Sequence, residues 1–154
     1  MTFFTSRWVD APPQVTEVSG LPMGFRASGV ACGIKPSGAS DLGLLVSDAP
    51  ETVSAARFTR SGVLAAPVLL CQERCDLAGL RAIVANSGCA NASTGHRGLD
   101  AAAEVQAAGA EAAGVPASAV ALASTGGIAH HLPVDRALAG VAAAKAKLAA
   151  DGDV

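Results

Sequence analysis

Tyrosine is absent from this 154-residue chain, tryptophan occurs once, and aromatic residues make up 3% of it. Exposed rings on which bases stack are therefore missing. A basic stripe is missing too: 11 Lys and Arg stand against 13 Asp and Glu, a formal net charge of −2. Both absences exclude nucleic acid as an expected partner. No apolar run approaches the roughly 20 residues of a membrane-spanning helix. The start, Met1-Thr-Phe-Phe-Thr-Ser-Arg-Trp8, lacks a basic stretch followed by a long apolar one, so no secretory signal is read there. The expectation is a cytoplasmic protein without membrane contact.

Cys-x-x-Cys pairs are also lacking. The four cysteines stand at 32, 71, 75 and 89. A chain of this length can bury a core without a disulfide framework, so they read as reduced, buried thiols. Cys71 and Cys75 share one face if their segment is helical. Histidine is scarce: His96 stands alone, and the adjacent His130 and His131 face opposite sides of an extended segment. No metal site is expected. The phosphate loop G-x-x-x-x-G-K-[ST] does not occur. Asp41 and Asp48 bracket a strand and read as turn residues, and Arg57 and Arg60 as solvated charges. Thr2 would become N-terminal if Met1 were removed, but nothing around it builds a site.

What the chain has in abundance is small residues. Much of its 51% hydrophobic content is alanine, accompanied by 17 glycines, which suits helices packed closely on a sheet in one domain. Residues 1–20, with Pro12 and Pro13, read as an irregular lead-in. Pro22–Gly38 reads as strand with turns, Leu42–Ser47 as a strand, and Val53–Thr59 as another. Pro67 fits the first turn of a helix running to about Cys75. Leu80–Ala85 is an apolar strand. A helix follows over Gly98–Ala113, stopped by Gly114 and Pro116. Ala119–Ala123 is a short strand, and Pro133 opens the last helix. Strands followed by strand–helix–strand–helix predict a mixed sheet covered by helices.

Two glycine-rich polar segments end the last two apolar strands. They are Asn86-Ser-Gly-Cys-Ala-Asn-Ala-Ser-Thr-Gly95 and Ala123-Ser-Thr-Gly-Gly-Ile128. Such segments bring backbone N–H groups and hydroxyls to a small polar ligand, glycine allowing close approach and Asn, Ser and Thr holding the loop.

Four motifs, in order, resemble the ornithine acetyltransferase (bifunctional glutamate N-acetyltransferase) family. They are Gly24-Phe-Arg-Ala-Ser-Gly-Val-Ala-Cys-Gly-Ile-Lys-Pro-Ser-Gly38, Phe58-Thr-Arg-Ser-Gly-Val-Leu-Ala-Ala-Pro-Val68, Asn86–Gly95 and Ser124-Thr-Gly126. The resemblance spans about residues 22–150 and concerns the N-terminal part of the family. It implies an α+β fold, a mixed-sheet sandwich with outer helices, incomplete without a beta chain. Members of the family are precursors that cut themselves before a threonine. The alpha and beta portions stay together, and the new N-terminal threonine carries an acetyl group from N-acetylornithine to glutamate. The resemblance places Thr125 and Gly126 at the oxyanion hole and makes residues 21–154 an alpha-chain portion. It implies a hetero-oligomer with the beta chain and no cofactor, and leaves acetyl-CoA open as a further acetyl donor. The nucleophilic threonine falls outside this sequence, so the expectation is a chain inactive by itself. A non-catalytic homologue or fragment with an assembly role, or a small-ligand domain using the Asn86 loop, are the other readings.

The chain departs from the family pattern at a few positions. Cys89 stands where a second Asn is usual, Gly127 and Ala129 where Val and Gly flank Ile128, and Leu64 where Lys is usual.

Overall fold

The computed structural model describes residues 20–152. The readings of Thr2, Pro12 and Pro13, and nearly all of the lead-in, lie outside the described residues. Four strands, β1 (Phe25–Val30), β2 (Leu42–Ser47), β3 (Ala82–Cys89) and β4 (Val120–Gly127), form one mixed sheet in the order β1-β2-β3-β4. β1, β2 and β3 are antiparallel neighbours, whereas β3 and β4 run parallel. Three helices complete the α+β fold: α1 (Ala66–Arg74), α2 (Gly95–Ala113) and α3 (Val134–Lys147).

Alternation along the strands decides the layers. Leu42, Leu44 and Val46, with Val84 and Val120, are buried on one face. They pack with Val105 and Ala110 of α2 and Ala137, Val141 and Ala144 of α3 in a single cluster. The small residues act as expected here. A Cβ on Gly109 of α2 would stand 2.6 Å from a methyl of Val84, so the helix axis comes closer to the sheet than any side chain would permit. α1 caps the free edge of β4. Cys71 Sγ accepts the Leu122 N–H (3.2 Å) and Cys75 Sγ donates to the Val120 carbonyl (3.2 Å). Gln106 Nε2 reaches the same carbonyl at 2.9 Å. Thiols and an amide thus satisfy backbone groups that an edge strand leaves open.

Among the described residues the other face of the sheet is the less covered one: Ile83, Ala85 and Ala123 are exposed there, although Ala27 at its β1 edge is buried. In register, Gly29, Gly43, Ala85 and Ala123 form one row, and Ala27, Leu45, Ile83 and Ala121 the next. Ile83 is 36% exposed.

β2 falls where the sequence puts it, and α1 and the C-terminal stop of α2 agree with the expectation. Gly114 is left-handed (φ 69°), its N–H closing on the Ala110 carbonyl. Three expectations need correction. Val53–Thr59 is not a strand: Val53 is 87% exposed, and the segment is tied instead by Ser54, whose N–H meets the Ala78 carbonyl and whose hydroxyl meets that of Leu77. An apolar alternation without a neighbouring strand edge has nothing to pair with. The segments from Asn86 and from Ser124, both expected to be loop, continue as strand to Cys89 and Gly127. Ladder bonds need only backbone, so polar and glycine residues extend a parallel pair once its apolar part sets the register. Finally, α2 starts at Gly95 rather than Gly98.

Candidate functional site

The ends of the parallel strands β3 and β4 lie side by side, with Ser87 opposite Thr125 and Gly88 opposite Gly126. Both glycines have positive φ, 101° and 131°. A Cβ on Gly126 would stand 2.6 Å from the Cys89 nitrogen and 2.7 Å from the Gly88 oxygen. Only glycine fits, and the two backbones approach as closely as peptides can. One on Gly88 would meet Lys35 Cγ at 2.8 Å, because the loop after β1 folds over this strand end.

That loop is held from within by Asp41. Its carboxylate is buried and accepts the N–H groups of Cys32 (2.7 Å) and Lys35 (2.8 Å). Burial would raise its pKa, but these N–H bonds outweigh burial and hold the carboxyl below its ordinary value. The Asp41 carbonyl also accepts the Ser87 N–H at 2.9 Å. The sequence reading of Asp41 as a turn residue misses this role. The available signal was an acid following a glycine-rich loop whose N–H groups have no partner strand.

Thr125 is exposed on the open sheet face. A shallow pocket of about 280 Å³ there is lined by Gly29, Gly43, Ala85, Ser40, Ser87 and Thr125, among others. Behind it, the Ser124 hydroxyl donates to Asn86 Oδ1 (2.6 Å) and Asn86 Nδ2 to the Cys89 carbonyl (2.9 Å). Asn91, fully buried with φ 47°, sends Nδ2 to the Gly98 carbonyl (2.8 Å) and accepts the Thr94 hydroxyl (2.8 Å). The two glycine-rich segments are laced together by Ala90 N–H to the Gly127 carbonyl (3.0 Å) and Ala129 N–H to that of Ala92 (2.9 Å). Tertiary pairing thus brings the two glycine-rich segments singled out in the sequence together as one turn-and-strand platform.

The departures have local meanings. Cys89 is buried and its thiol donates to the His130 carbonyl at 3.3 Å. Ala129 has φ 60°, a conformation in which glycine is the relaxed residue. The His130 ring lies against Gly127, where a Cβ would stand 2.9 Å from Cδ2. Leu64 lines an apolar hollow of about 240 Å³ with Leu69 and Leu99. His130 and His131 are both exposed. Among the described residues no group of three His, Cys, Asp or Glu could hold a metal ion, and no helix is long and apolar enough to cross a membrane.

A mixed sheet backed by helices, with a glycine platform at the ends of two parallel strands, defines an α+β fold of the ornithine acetyltransferase kind. The crystal structure of ornithine acetyltransferase complexed with ornithine from Mycobacterium tuberculosis matches it with a TM-score of 0.80 at 44% identity, over 84% of this chain and 69% of that one. The arginine biosynthesis bifunctional protein ArgJ from Bacillus halodurans matches at 0.72 and 43%, over 77% of this chain and 62% of that one. The ArgJ family model covers residues 26–153, and the chain belongs to the ArgJ family. The arginine biosynthesis bifunctional protein ArgJ of Mycobacterium bovis is 49% identical over 126 residues, 79% of this chain and 31% of the relative. That of Thermobifida fusca is 44% identical over 131 residues, 85% of this chain and 34% of the relative. The chain thus spans about a third of the length of the curated relatives it matches.

Proposed function

We propose that residues 21–154 are the alpha-chain portion of an N-acetyltransferase of arginine biosynthesis, and that Thr125 and Gly126 form its oxyanion hole. In this reading a threonine hydroxyl, carried by a beta chain outside this sequence, attacks the acetyl carbonyl of N-acetylornithine. The C–N bond breaks, the ornithine amine takes a proton and leaves, and the acetyl group stays on the threonine oxygen. The amine of glutamate then attacks the ester, releasing N-acetylglutamate and restoring the hydroxyl. Both steps pass through a tetrahedral carbon bearing a negative oxygen. No cofactor is needed for either, and acetyl-CoA is an alternative donor of the same acetyl group. The alpha and beta chains work as a hetero-oligomer in the cytoplasm.

One observation carries the reading. At the strand end Gly126 has the glycine-only conformation against Gly88, and beside it Thr125 offers a hydroxyl on the open face. Donors locked before the reaction stabilise a developing oxyanion without reorganising, and losing one costs about 3–4 kcal/mol. Family membership and the relatives' names support the choice of acetyl transfer over other acyl chemistry.

Thr125→Ala in the full-length protein tests the assignment. The expected result is a fall in kcat of about 10²-fold or more with little change in KM, because such donors act in the transition state. Thr125→Ser keeps the hydroxyl and retains much of the rate. An unchanged kcat in Thr125→Ala, with the parent's melting temperature, would return Ser124–Gly127 to an ordinary strand end.

A further inference from the structure

Beneath the Thr125–Gly126 strand end lies a polar pair in an otherwise apolar layer. The residues of β3 and β4 that face the helices pair in register as Ala82 with Val120, Val84 with Leu122, and Asn86 with Ser124. The first two pairs are apolar. The third turns polar one position before Ser87 and Thr125, which belong to the opposite face. Asn86 and Ser124 sit among Val84, Val105, Leu122 and Ala137 around a void of about 10 Å³, so neither side chain has room to turn away. Polar groups in such surroundings cost stability unless their hydrogen bonds are made, and here one arrangement makes them. The Cys89 carbonyl can only accept, so the amide presents Nδ2 to it at 2.9 Å. That leaves Oδ1 for Ser124, whose hydroxyl donates at 2.6 Å. Both grips lead to the same two residues. On one side, Ser124 immediately precedes Thr125. On the other, the peptide between Cys89 and Ala90 has its carbonyl on Asn86 and its N–H on the Gly127 carbonyl (3.0 Å), and Gly127 follows Gly126. One amide thus holds the residues on either side of Thr125–Gly126. Gly126 itself lies against the Gly88–Cys89 peptide, where a Cβ would stand 2.6 Å from the Cys89 nitrogen. A shift of that turn therefore moves Gly126 with it.

We propose that Asn86 is a positioning residue of the acetyl-transfer site: its amide, clamped between the Ser124 hydroxyl and the Cys89 carbonyl, fixes the aim of the Thr125 hydroxyl and the Gly126 N–H without touching the substrate. The inference rests on the reading of Thr125 and Gly126 as the oxyanion hole. Donors stabilise a developing oxyanion only to the extent that they are already in place, and a misplacement of about 1 Å costs on the order of 10²-fold in rate. Donors of this kind need a supporting shell whose own conformations are locked by packing and hydrogen bonds. A third apolar pair would fill the layer equally well but would leave the two strand ends tied by ladder bonds alone.

Steady-state acetyl transfer from N-acetylornithine to glutamate by the full-length protein tests this. Asn86→Asp keeps the shape and the Oδ1 acceptor but turns a carboxylate oxygen toward the Cys89 carbonyl. The expected result is a fall in kcat of about tenfold or more, with KM changed by less than about twofold. Ser124→Ala removes one hydroxyl and lowers kcat about threefold or more, and it adds little once Asn86→Asp is present, because both break the same clamp. Each variant is assayed well below its own melting temperature, so that unfolded protein is not counted as lost positioning. The Thr125→Ala background supplies the readout that a merely structural role would not move. There Asn86→Asp is expected to cost at least about threefold less than in the parent, since a misaimed hydroxyl and a missing one are the same loss. Equal cost in both backgrounds, a rise in KM in place of the fall in kcat, or an unchanged kcat in both Asn86→Asp and Ser124→Ala overturns the proposal. If Asn86→Asp fails to fold, Ser124→Ala in the two backgrounds carries the same comparison. An unchanged kcat in Thr125→Ala is the separate signature of a wrong oxyanion assignment, and it removes the role of Asn86 as well.

Discussion

Ala129 carries a cost that its neighbours impose. Its N–H is held by the Ala92 carbonyl and its φ is 60°, a region where a Cβ crowds the backbone and costs an L-residue about 1–2 kcal/mol. Ala129→Gly is therefore expected to stabilise the protein by up to about 1 kcal/mol, the larger entropy of an unfolded glycine offsetting part of the relief. A rise in melting temperature of about 2–4 °C would register it; a fall would mean that the turn tolerates alanine without strain. Asp41 is the opposite case, a residue stabilised by where it sits. Its folded pKa lies below the ordinary 3.8, so its contribution is present at neutral pH. That contribution is lost as pH falls below about 4 through the folded value. Asp41→Asn keeps the shape but puts an amide N–H where an N–H acceptor is needed. The expected loss is about 1–3 kcal/mol at pH 7. The gap to the parent should narrow in denaturant titrations toward pH 3, and a gap independent of pH would exclude the charge as its cause.

Among the elements, α1 and β4 show how side chains of modest polarity finish a sheet. The sequence places Cys71 and Cys75 on one helical face, and the structure turns that face onto the free edge of β4. Burial first, then the neighbouring Cys71 thiol, pushes the Cys75 thiol up to about 12. Burial and the nearby Asp41 carboxylate push Cys32 to about 11. Thiolate is the reactive form, so at pH 8 a disulfide reagent should label these two cysteines slowly in the native protein and all four rapidly after unfolding. Rapid native labelling of Cys75 would mean that α1 leaves the edge readily. At this scale the strands with apolar alternation were legible in advance, β2 to the residue. The polar continuations of β3 and β4 were not, because their pairing depends on backbone alone. Val53–Thr59 misled for the converse reason: its side chains suit a strand, but no edge is offered to it.

Among the described residues the sheet has one face backed by α2 and α3 and the other largely uncovered. Gly43, Ala85 and Ala123 make a shallow trough there, bordered by Leu45 and Ile83, with Thr125 at one end. Contiguous apolar surface drives association. The 154-residue chain purified by itself is expected to self-associate and to bind an apolar dye. A dye-silent monomer in size-exclusion chromatography would refute this. The one sheet among the described residues supplies the mixed-sheet layer and its outer helices, and the trough sits on the side away from those helices.

The sequence by itself determined the class of fold and the family, and it marked the two glycine-rich segments, because periodicity, helix stops and glycine-rich motifs are local properties that a chain carries wherever it folds. Tertiary structure alone decided that Gly88 and Gly126 meet, that Asp41 is an anchor rather than a turn residue, and that Thr125 faces outward while Ser124 faces in. Those facts depend on the register of β3 against β4 and on a loop from a different hairpin folding over their ends. Contacts between residues nearly forty positions apart leave no periodic mark on either segment.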